Sequence, residues 1–221
     1  MNELSRERLM RLAVLCEGGL ALAAIGLGWL FHIEVLSHLR FSWSGFLAGL
    51  VAAVPPFLLL VASEWVKLRP LERIRDLVLE MLGPALAACR WYDLVLLAAL
   101  AGFGEELLFR GVVQLSFERW ALGWTASVPV SWIAGLILSN VIFGLLHGIT
   151  RTYALLAGLM GIYFGVLVNF GLETPIVAHA VYDYLAFLIL VRTVRRRKSN
   201  AEGNAESPLN VAGHDKEPRG M

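Results

Sequence analysis

The chain has 221 residues, of which 57% are hydrophobic and only 17% charged. Soluble domains are about half apolar and about a quarter charged, so this composition, with a mean hydropathy of +0.66, excludes an ordinary soluble protein and predicts an integral membrane protein. The net charge of +1 does not indicate the basic surface of a nucleic-acid-binding protein. The protein is therefore predicted to interact with the lipid bilayer and not with nucleic acid.

Six apolar stretches are each long enough for the roughly 20 residues that a transmembrane helix needs. In chain order they are 10–31, 43–63, 91–116, 128–148, 152–171 and 174–194. The second contains Pro55 and Pro56 and is predicted to kink there, because proline has no backbone N–H to donate. The predicted fold class is all-α, a polytopic transmembrane helix bundle of about six spans plus an amphipathic interfacial helix.

Four regions are predicted along the chain. They are an N-terminal two-span region at 1–63, a cytoplasmic amphipathic linker helix at 64–90, a core at 91–194 and a disordered cytoplasmic tail at 195–221. The linker is predicted to be helical because its apolar residues recur at helical spacing between charges. Those apolar residues are Leu71, Ile74, Leu77, Val78 and Met81.

Basic residues cluster on one side of the predicted six-span arrangement. The clusters are Arg6, Arg8 and Arg11; Lys67, Arg69, Arg73 and Arg75; Arg151; and Arg195 to Lys198. Because cytoplasmic loops carry an excess of lysine and arginine, both termini are predicted to be cytoplasmic. The expected location is the bacterial cytoplasmic membrane.

The stretch GEELLFRG, residues 104–111, interrupts the third apolar stretch with three ionisable side chains. Glu106 and Arg110 are four residues apart and share one face of a helix, which predicts an ion pair. Glu105 is rotated by about 100° from Glu106 and has no obvious local partner. A carboxylate of this kind is expected to face a wet site or to be protonated, and the alternative is a purely structural ion pair beside a neutral glutamate.

Two further spans each contribute a histidine. His147 lies one turn after Phe143, and His179 lies one turn before Asp183. A lone histidine in a membrane is often a packing residue with a hydrogen bond, but the carboxylate of Asp183 is placed to hold the His179 imidazole in one tautomer. Polar groups from three separate spans therefore predict one shared site.

Counting residues along the spans gives the two histidines different depths. His147 falls near the cytoplasmic end of its span and His179 about two turns from the opposite end of another, so their depths differ by more than about 10 Å. A shared site then requires staggered or tilted helices, or a sunken loop at 148–152. Glu17, in the first span, is expected near the cytoplasmic surface beside Arg11, and the alternative is that it faces a cavity.

These residue types permit two routes to peptide hydrolysis. In the first, Glu105 deprotonates a water molecule with help from His147, and the remaining polar pair stabilises the oxyanion. In the second, His147, His179 and a carboxylate bind zinc, which lowers the pKa of its bound water.

The three motifs resemble those of a known family. Glu-Glu-x-x-x-Arg at 105–110, Phe-x-x-x-His at 143–147 and His-x-x-x-Asp at 179–183 match, in order and spacing, the motifs of the CPBP family. This is the CAAX-protease and bacteriocin-processing family, also called Abi or type II CAAX prenyl endopeptidase-like. The resemblance covers about 91–194 and implies that this region is the catalytic core of an intramembrane protease acting on a membrane-associated peptide or protein.

The resemblance also implies a role for each motif residue. Glu105 would be the water-activating base with His147 beside it, Glu106 and Arg110 would support their helix, and His179 and Asp183 would form the oxyanion pair. Prominent members carry asparagine where this chain has Asp183, and an ionised aspartate cannot donate a hydrogen bond. Asp183 would then be protonated, orient His179 or serve as a metal ligand.

No cofactor is required on this account. A zinc-dependent hydrolysis, with Glu105, His147 and His179 as ligands, is the alternative. Two other classes of function remain open from the residues alone: a proton-coupled transporter with an acid–base relay through the same side chains, and a non-catalytic immunity or scaffold protein. The chain shows no internal repeat, which is unlike many transporters.

Overall fold

The computed structural model describes residues 4–205, and every regular element in that part of the chain is helical. The α-helices are α1 (Arg6–Leu30), α2 (Trp43–Ala52), α3 (Val54–Ser63), α4 (Arg69–Ala87), α5 (Trp91–Leu108), α6 (Leu115–Thr125), α7 (Val128–Leu146), α8 (Arg151–Leu167) and α9 (Glu173–Ala205). A π-helical segment, Phe109–Gln114, joins α5 to α6. The predicted all-α fold is confirmed.

Five helical stretches are long and apolar enough to cross a membrane. They are Arg6–Leu30, Trp43–Ser63, Val128–Leu146, Arg151–Phe170 and Glu173–Glu202. The predicted third span, 91–116, is helical but does not reach the same apolarity, because α5 carries Asp93, Glu105 and Glu106. Its helical path also continues through the π-helical segment to Thr125. The structure is therefore a membrane helix bundle with one polar helix at its centre.

The second span breaks where proline predicted a kink. Helix α2 ends at Ala52 and α3 begins at Val54, with Pro55 in its first turn. Pro55 and Pro56 cannot donate to the carbonyl groups of the preceding turn. Two short helices therefore replace one continuous helix, and the predicted kink is confirmed.

Helix α1 runs alongside α5 and α6 in the same direction, with a constant sequence offset. Arg6 forms a two-pronged ion pair with Asp93, with both N–O distances at 2.7 Å, and at the other end Arg119 donates to the carbonyl of His32 at 3.0 Å. Both pairs are 87 residues apart in the sequence. Each residue of α1 therefore lies at the same level as the residue of α5 or α6 whose number is 87 higher.

Glycines let the other neighbours approach α5 and its continuation closely. A Cβ atom on Gly102 would lie 2.8 Å from the backbone N of Ala180 in α9, and one on Gly135 in α7 would lie 2.7 Å from the carbonyl oxygen of Gln114. Such contacts are typical of helix pairs in membranes, where packing by small residues replaces the hydrophobic effect. The polar helix is thus enclosed by α1, α7 and α9.

Helix α4 lies against the C-terminal half of α9, which changes two predicted boundaries. A Cβ on Gly83 would lie 2.8 Å from Val194, and Asp76 pairs with Arg197 at 2.9 Å. With α4 beside it, α9 continues to Ala205, so the helix extends beyond the predicted end of the last span at 194, and 195–205, assigned to the disordered tail, is helical. Residues 206–221, the rest of that predicted tail, lie outside the described residues.

The predicted amphipathic linker forms α4, and four of its five expected apolar positions are partly buried. Met81 is the exception, with 53% of its surface exposed. The fully buried positions near the end of the helix are instead Leu79, Gly83, Ala85 and Leu86. The buried stripe therefore lies slightly rotated from the face that the sequence pattern indicated, because α9 fixes which side of α4 is covered.

Candidate active site

Glu106 is fully buried and joins two other side chains of the predicted site. Its Oε2 atom lies 3.0 Å from Nε of Arg110, and its Oε1 atom lies 2.8 Å from Nδ1 of His179. The predicted ion pair is therefore present, with neither side chain exposed. Because a carboxylate can only accept hydrogen bonds, Nδ1 of His179 carries the proton and donates it to Glu106.

This geometry corrects one sequence-based interpretation. Asp183 was expected to hold the His179 imidazole in one tautomer, but its Oδ2 atom lies 3.6 Å from Nε2, which is too long for a direct hydrogen bond. Glu106 performs that role instead, from a neighbouring helix. Phe164 fixes the plane of the ring, since its own ring stacks on His179 with centroids 4.9 Å apart and an interplanar angle of 16°.

Arg110 lies in the π-helical segment and is held by polar groups that the sequence analysis did not select. Its Nη2 atom donates to Oδ1 of Asn140 at 3.2 Å and to the carbonyl of Gly161 at 2.8 Å. Its guanidinium carbon also lies 4.8 Å from the centre of the Phe143 ring, within the range of a cation–π contact. Asn140 could have been selected from the sequence because it is an amide side chain in the middle of an apolar span.

Glu105 lies between the two histidines, as the shared-site prediction required. Its Oε1 atom is 3.7 Å from Nε2 of His147, and its Oε2 atom is 4.0 Å from Nε2 of His179. The Glu105 side chain is 13% exposed, that of Asp183 21% and that of His147 27%. The group is therefore mostly enclosed but open on the side of His147 and Asp183.

The end of α7 explains how the two histidines meet. Helix α7 ends at Leu146, and His147 follows as its cap residue, with Nδ1 donating to the carbonyl of Phe143 at 2.8 Å. Glu105 lies about 18 Å along α5 from Asp93. Because His147 lies beside Glu105, α7 ends at the depth of Glu105 and does not continue to the depth of Asp93. His179 also lies beside Glu105. The prediction that the two histidines differ in depth by more than about 10 Å is therefore wrong.

Glu17 does not lie where the sequence analysis placed it. Gly104 brings α1 so close to α5 that a Cβ on Gly104 would lie 2.5 Å from the carbonyl oxygen of Glu17. The Oε2 atom of Glu17 is buried without a hydrogen-bond partner among the described residues, and Glu17 forms no ion pair with any of them. Glu17 thus lies beside Gly104, the residue before Glu105, and Arg11 is exposed.

The described residues give no geometric support to a metal centre. Among them, no group of three or more His, Cys, Asp or Glu side chains is arranged to hold a metal ion. Neither cysteine contributes a thiolate to the site: Cys16 is exposed, and Cys89, between α4 and α5, is buried, which raises the pKa of its thiol. The side chains that meet at the site carry carboxyl and imidazole groups.

A polar helix enclosed in an apolar bundle, with two glutamates and two histidines from three helices in contact, defines a membrane protein with an internal acid–base site. Residues 87–185 match the sequence model of the family described as Rce1-like, type II CAAX prenyl endopeptidase. This match supports the predicted assignment of this part of the chain to the CPBP family of CAAX-type intramembrane endopeptidases. No curated protein and no solved structure matches the chain.

Proposed function

We propose that this protein hydrolyses a peptide bond of a membrane-associated peptide or protein with a water molecule activated by Glu105. One observation carries the proposal: Glu105 lies between two imidazoles, with Nε2 of His147 at 3.7 Å and Nε2 of His179 at 4.0 Å, and its Oε2 atom is buried without a hydrogen-bond partner among residues 4–205. A buried carboxylate oxygen of this kind requires a donor. A water molecule bound there would lie among the carboxyl and imidazole groups that the reaction needs.

In the proposed reaction, the water oxygen forms a bond to the carbonyl carbon of the scissile peptide while one water proton passes to Oε2 of Glu105. The electrons of the C=O π bond move onto the carbonyl oxygen. When the tetrahedral intermediate collapses, the C–N bond breaks and Glu105 returns the proton to the leaving amine. His147 contacts the other carboxylate oxygen, Oε1, and keeps Glu105 aimed at the water.

His179 is the proposed donor to the developing oxyanion. Its Nδ1–H is committed to Glu106, so Nε2 is the nitrogen that faces the reacting groups. The carboxylates of Glu105 and Glu106 lie beside the ring and compensate a positive charge on it. The protonated imidazole then donates through Nε2–H, and a protonated Asp183 is the second donor. Preformed donors that meet the charge developing in the transition state usually contribute more to catalysis than any other single effect.

The proposed orientation places both termini in the cytoplasm, and the proposed location is a bacterial cytoplasmic membrane. Three of the four basic clusters lie at one end of the bundle, where Arg6 meets Asp93 and Arg197 meets Asp76. The fourth, Arg151, begins α8 four residues after His147 and is exposed. An excess of basic residues marks the cytoplasmic side, and the open side of the site near His147 is the proposed entry for substrate.

The proposal is tested with purified protein in liposomes and membrane-anchored peptide reporters, each made with and without a C-terminal prenyl group. Cleavage in the absence of any ion gradient, lost in Glu105→Gln, is the expected result. Gradient-dependent movement of protons with no cleavage would instead identify a transporter. Cleavage that stops with a chelator and returns with zinc would replace the metal-free mechanism with the zinc-dependent one.

A further inference from the structure

The structure contains one more carboxyl group at the site than the three motifs supply. Glu17 belongs to α1, which lies outside the matched residues 87–185. It reaches the site because α1 follows α5 at the offset of 87 residues, and this offset places Glu17 opposite Gly104, the residue before Glu105. Any larger side chain at position 104 would push the two helices apart.

Two carboxylate oxygens at this place are buried and lack a partner among the described residues. They are Oε2 of Glu17 and Oε2 of Glu105. The backbone of Glu17 lies against Gly104, where a Cβ atom would be 2.5 Å from the Glu17 carbonyl oxygen. A buried oxygen without a donor loses the free energy of a hydrogen bond, so two such oxygens on neighbouring carboxyl groups indicate a shared donor.

A water molecule is the donor that fits, because it carries two O–H groups and a carboxylate carries none. No side-chain donor among the described residues hydrogen-bonds either oxygen: Arg110 is bound to Glu106, Asn140 and Gly161, and Nε2 of His179 lies 4.0 Å from Oε2 of Glu105. A single water can satisfy both glutamates at once, and its lone pairs are then turned away from them.

We propose that Glu17 is a positioning residue of the hydrolytic site, whose carboxyl group holds, together with Glu105, the water molecule that attacks the peptide carbonyl. This inference rests on the proposed function. In the attack, the proton directed at Glu105 leaves the water, while the proton directed at Glu17 stays on the hydroxyl group that forms on the carbonyl carbon. Glu17 therefore changes no bond itself and acts by fixing the direction of the water lone pair.

The inference predicts different results for two substitutions at position 17. Glu17→Leu has no acceptor for the water and is expected to lower kcat about tenfold or more, the effect of losing one hydrogen bond, with KM within about twofold of wild type. Glu17→Gln keeps an acceptor oxygen and is expected to stay within about threefold of the wild-type kcat. Both remove a buried, unpaired carboxyl group, so neither should lower the melting temperature in detergent.

The neighbouring exposed Cys16 provides the matched control, and Cys16→Ala is expected to leave kcat and melting temperature unchanged. A fully active Glu17→Leu enzyme, or a Glu17→Gln enzyme as impaired as Glu17→Leu, overturns the inference. So does a melting temperature that falls in both variants, since that result indicates a structural role. Wild-type protein that cleaves no faster than Glu105→Gln overturns the proposed function itself, whereas inactive Glu105→Gln beside unaffected Glu17→Leu overturns this inference alone.

Discussion

The Nδ1–H of His179 donates to Oε1 of Glu106 at 2.8 Å, across the interface between α9 and α5. The same carboxylate holds Arg110 through its other oxygen at 3.0 Å. Glu106 is therefore more than the ion-pair partner that its spacing from Arg110 indicated. It connects the buried cation to the imidazole that we propose as the oxyanion donor.

Glu105→Gln and Glu106→Gln should fail for different reasons. Glu105→Gln removes the base without leaving a buried charge unpaired, so we expect cleavage to fall by at least the roughly 10²–10⁴-fold of general-base catalysis with little change in melting temperature. Glu106→Gln leaves Arg110 without its anion, and breaking a buried pair costs about 3–5 kcal/mol in soluble proteins. It should lose stability and activity together.

Cleavage rates and melting temperatures in detergent, measured side by side, test this division. Arg110→Ala removes the other partner of the buried ion pair and should lose stability and activity as Glu106→Gln does. Equal losses of stability in the two glutamine variants would contradict the division of roles. Retained cleavage by Glu105→Gln would contradict the mechanism.

Asp183→Asn is expected to remain active and to extend activity to higher pH. In the proposed mechanism Asp183 donates only in its carboxylic acid form, so wild-type activity is present below the pH at which Asp183 ionises and is lost as pH rises through it. The asparagine amide donates at any pH. The measurement is kcat against pH for wild type, Asp183→Asn and Asp183→Ala, and an inactive Asp183→Asn beside an active Asp183→Ala would exclude a donor role.

Gly161→Ala should destabilise the protein by disturbing the support of Arg110. A Cβ at this position would overlap Oδ1 of Asn140 and lie 3.1 Å from Nη2 of Arg110. Forcing extra atoms into a packed interior costs about 1–3 kcal/mol, so we expect a lower melting temperature and reduced cleavage. Gly19→Ala, where a Cβ would meet nothing within 4 Å, is the matched control, and an equal effect of both substitutions would refute the packing argument.

Reporter fusions test the membrane orientation. Topology reporters joined after residue 122, near the end of α6, and after residue 200, in the last part of α9, should report opposite sides of the membrane, with residue 200 in the cytoplasm. This result requires that the polar α5–α6 path crosses the bilayer although it is less apolar than the other five stretches. The same side for both fusions would show that this path does not cross.

Four features could be predicted from the sequence: the helical class, the kink at Pro55 and Pro56, the Glu106–Arg110 pair and the family resemblance. These features depend on local properties: the length of an apolar run, the missing N–H of proline, the four-residue spacing of a helix face and the order of three motifs. Contacts between different helices depend on the tertiary structure. Glu17 lies beside Gly104 because α1 and α5 run parallel at a close glycine contact, and Glu106 rather than Asp183 binds His179 because α9 lies against α5. Contacts of this kind depend on how separate helices are aligned along their lengths and rotated about their axes, and periodicity within one helix does not specify either quantity.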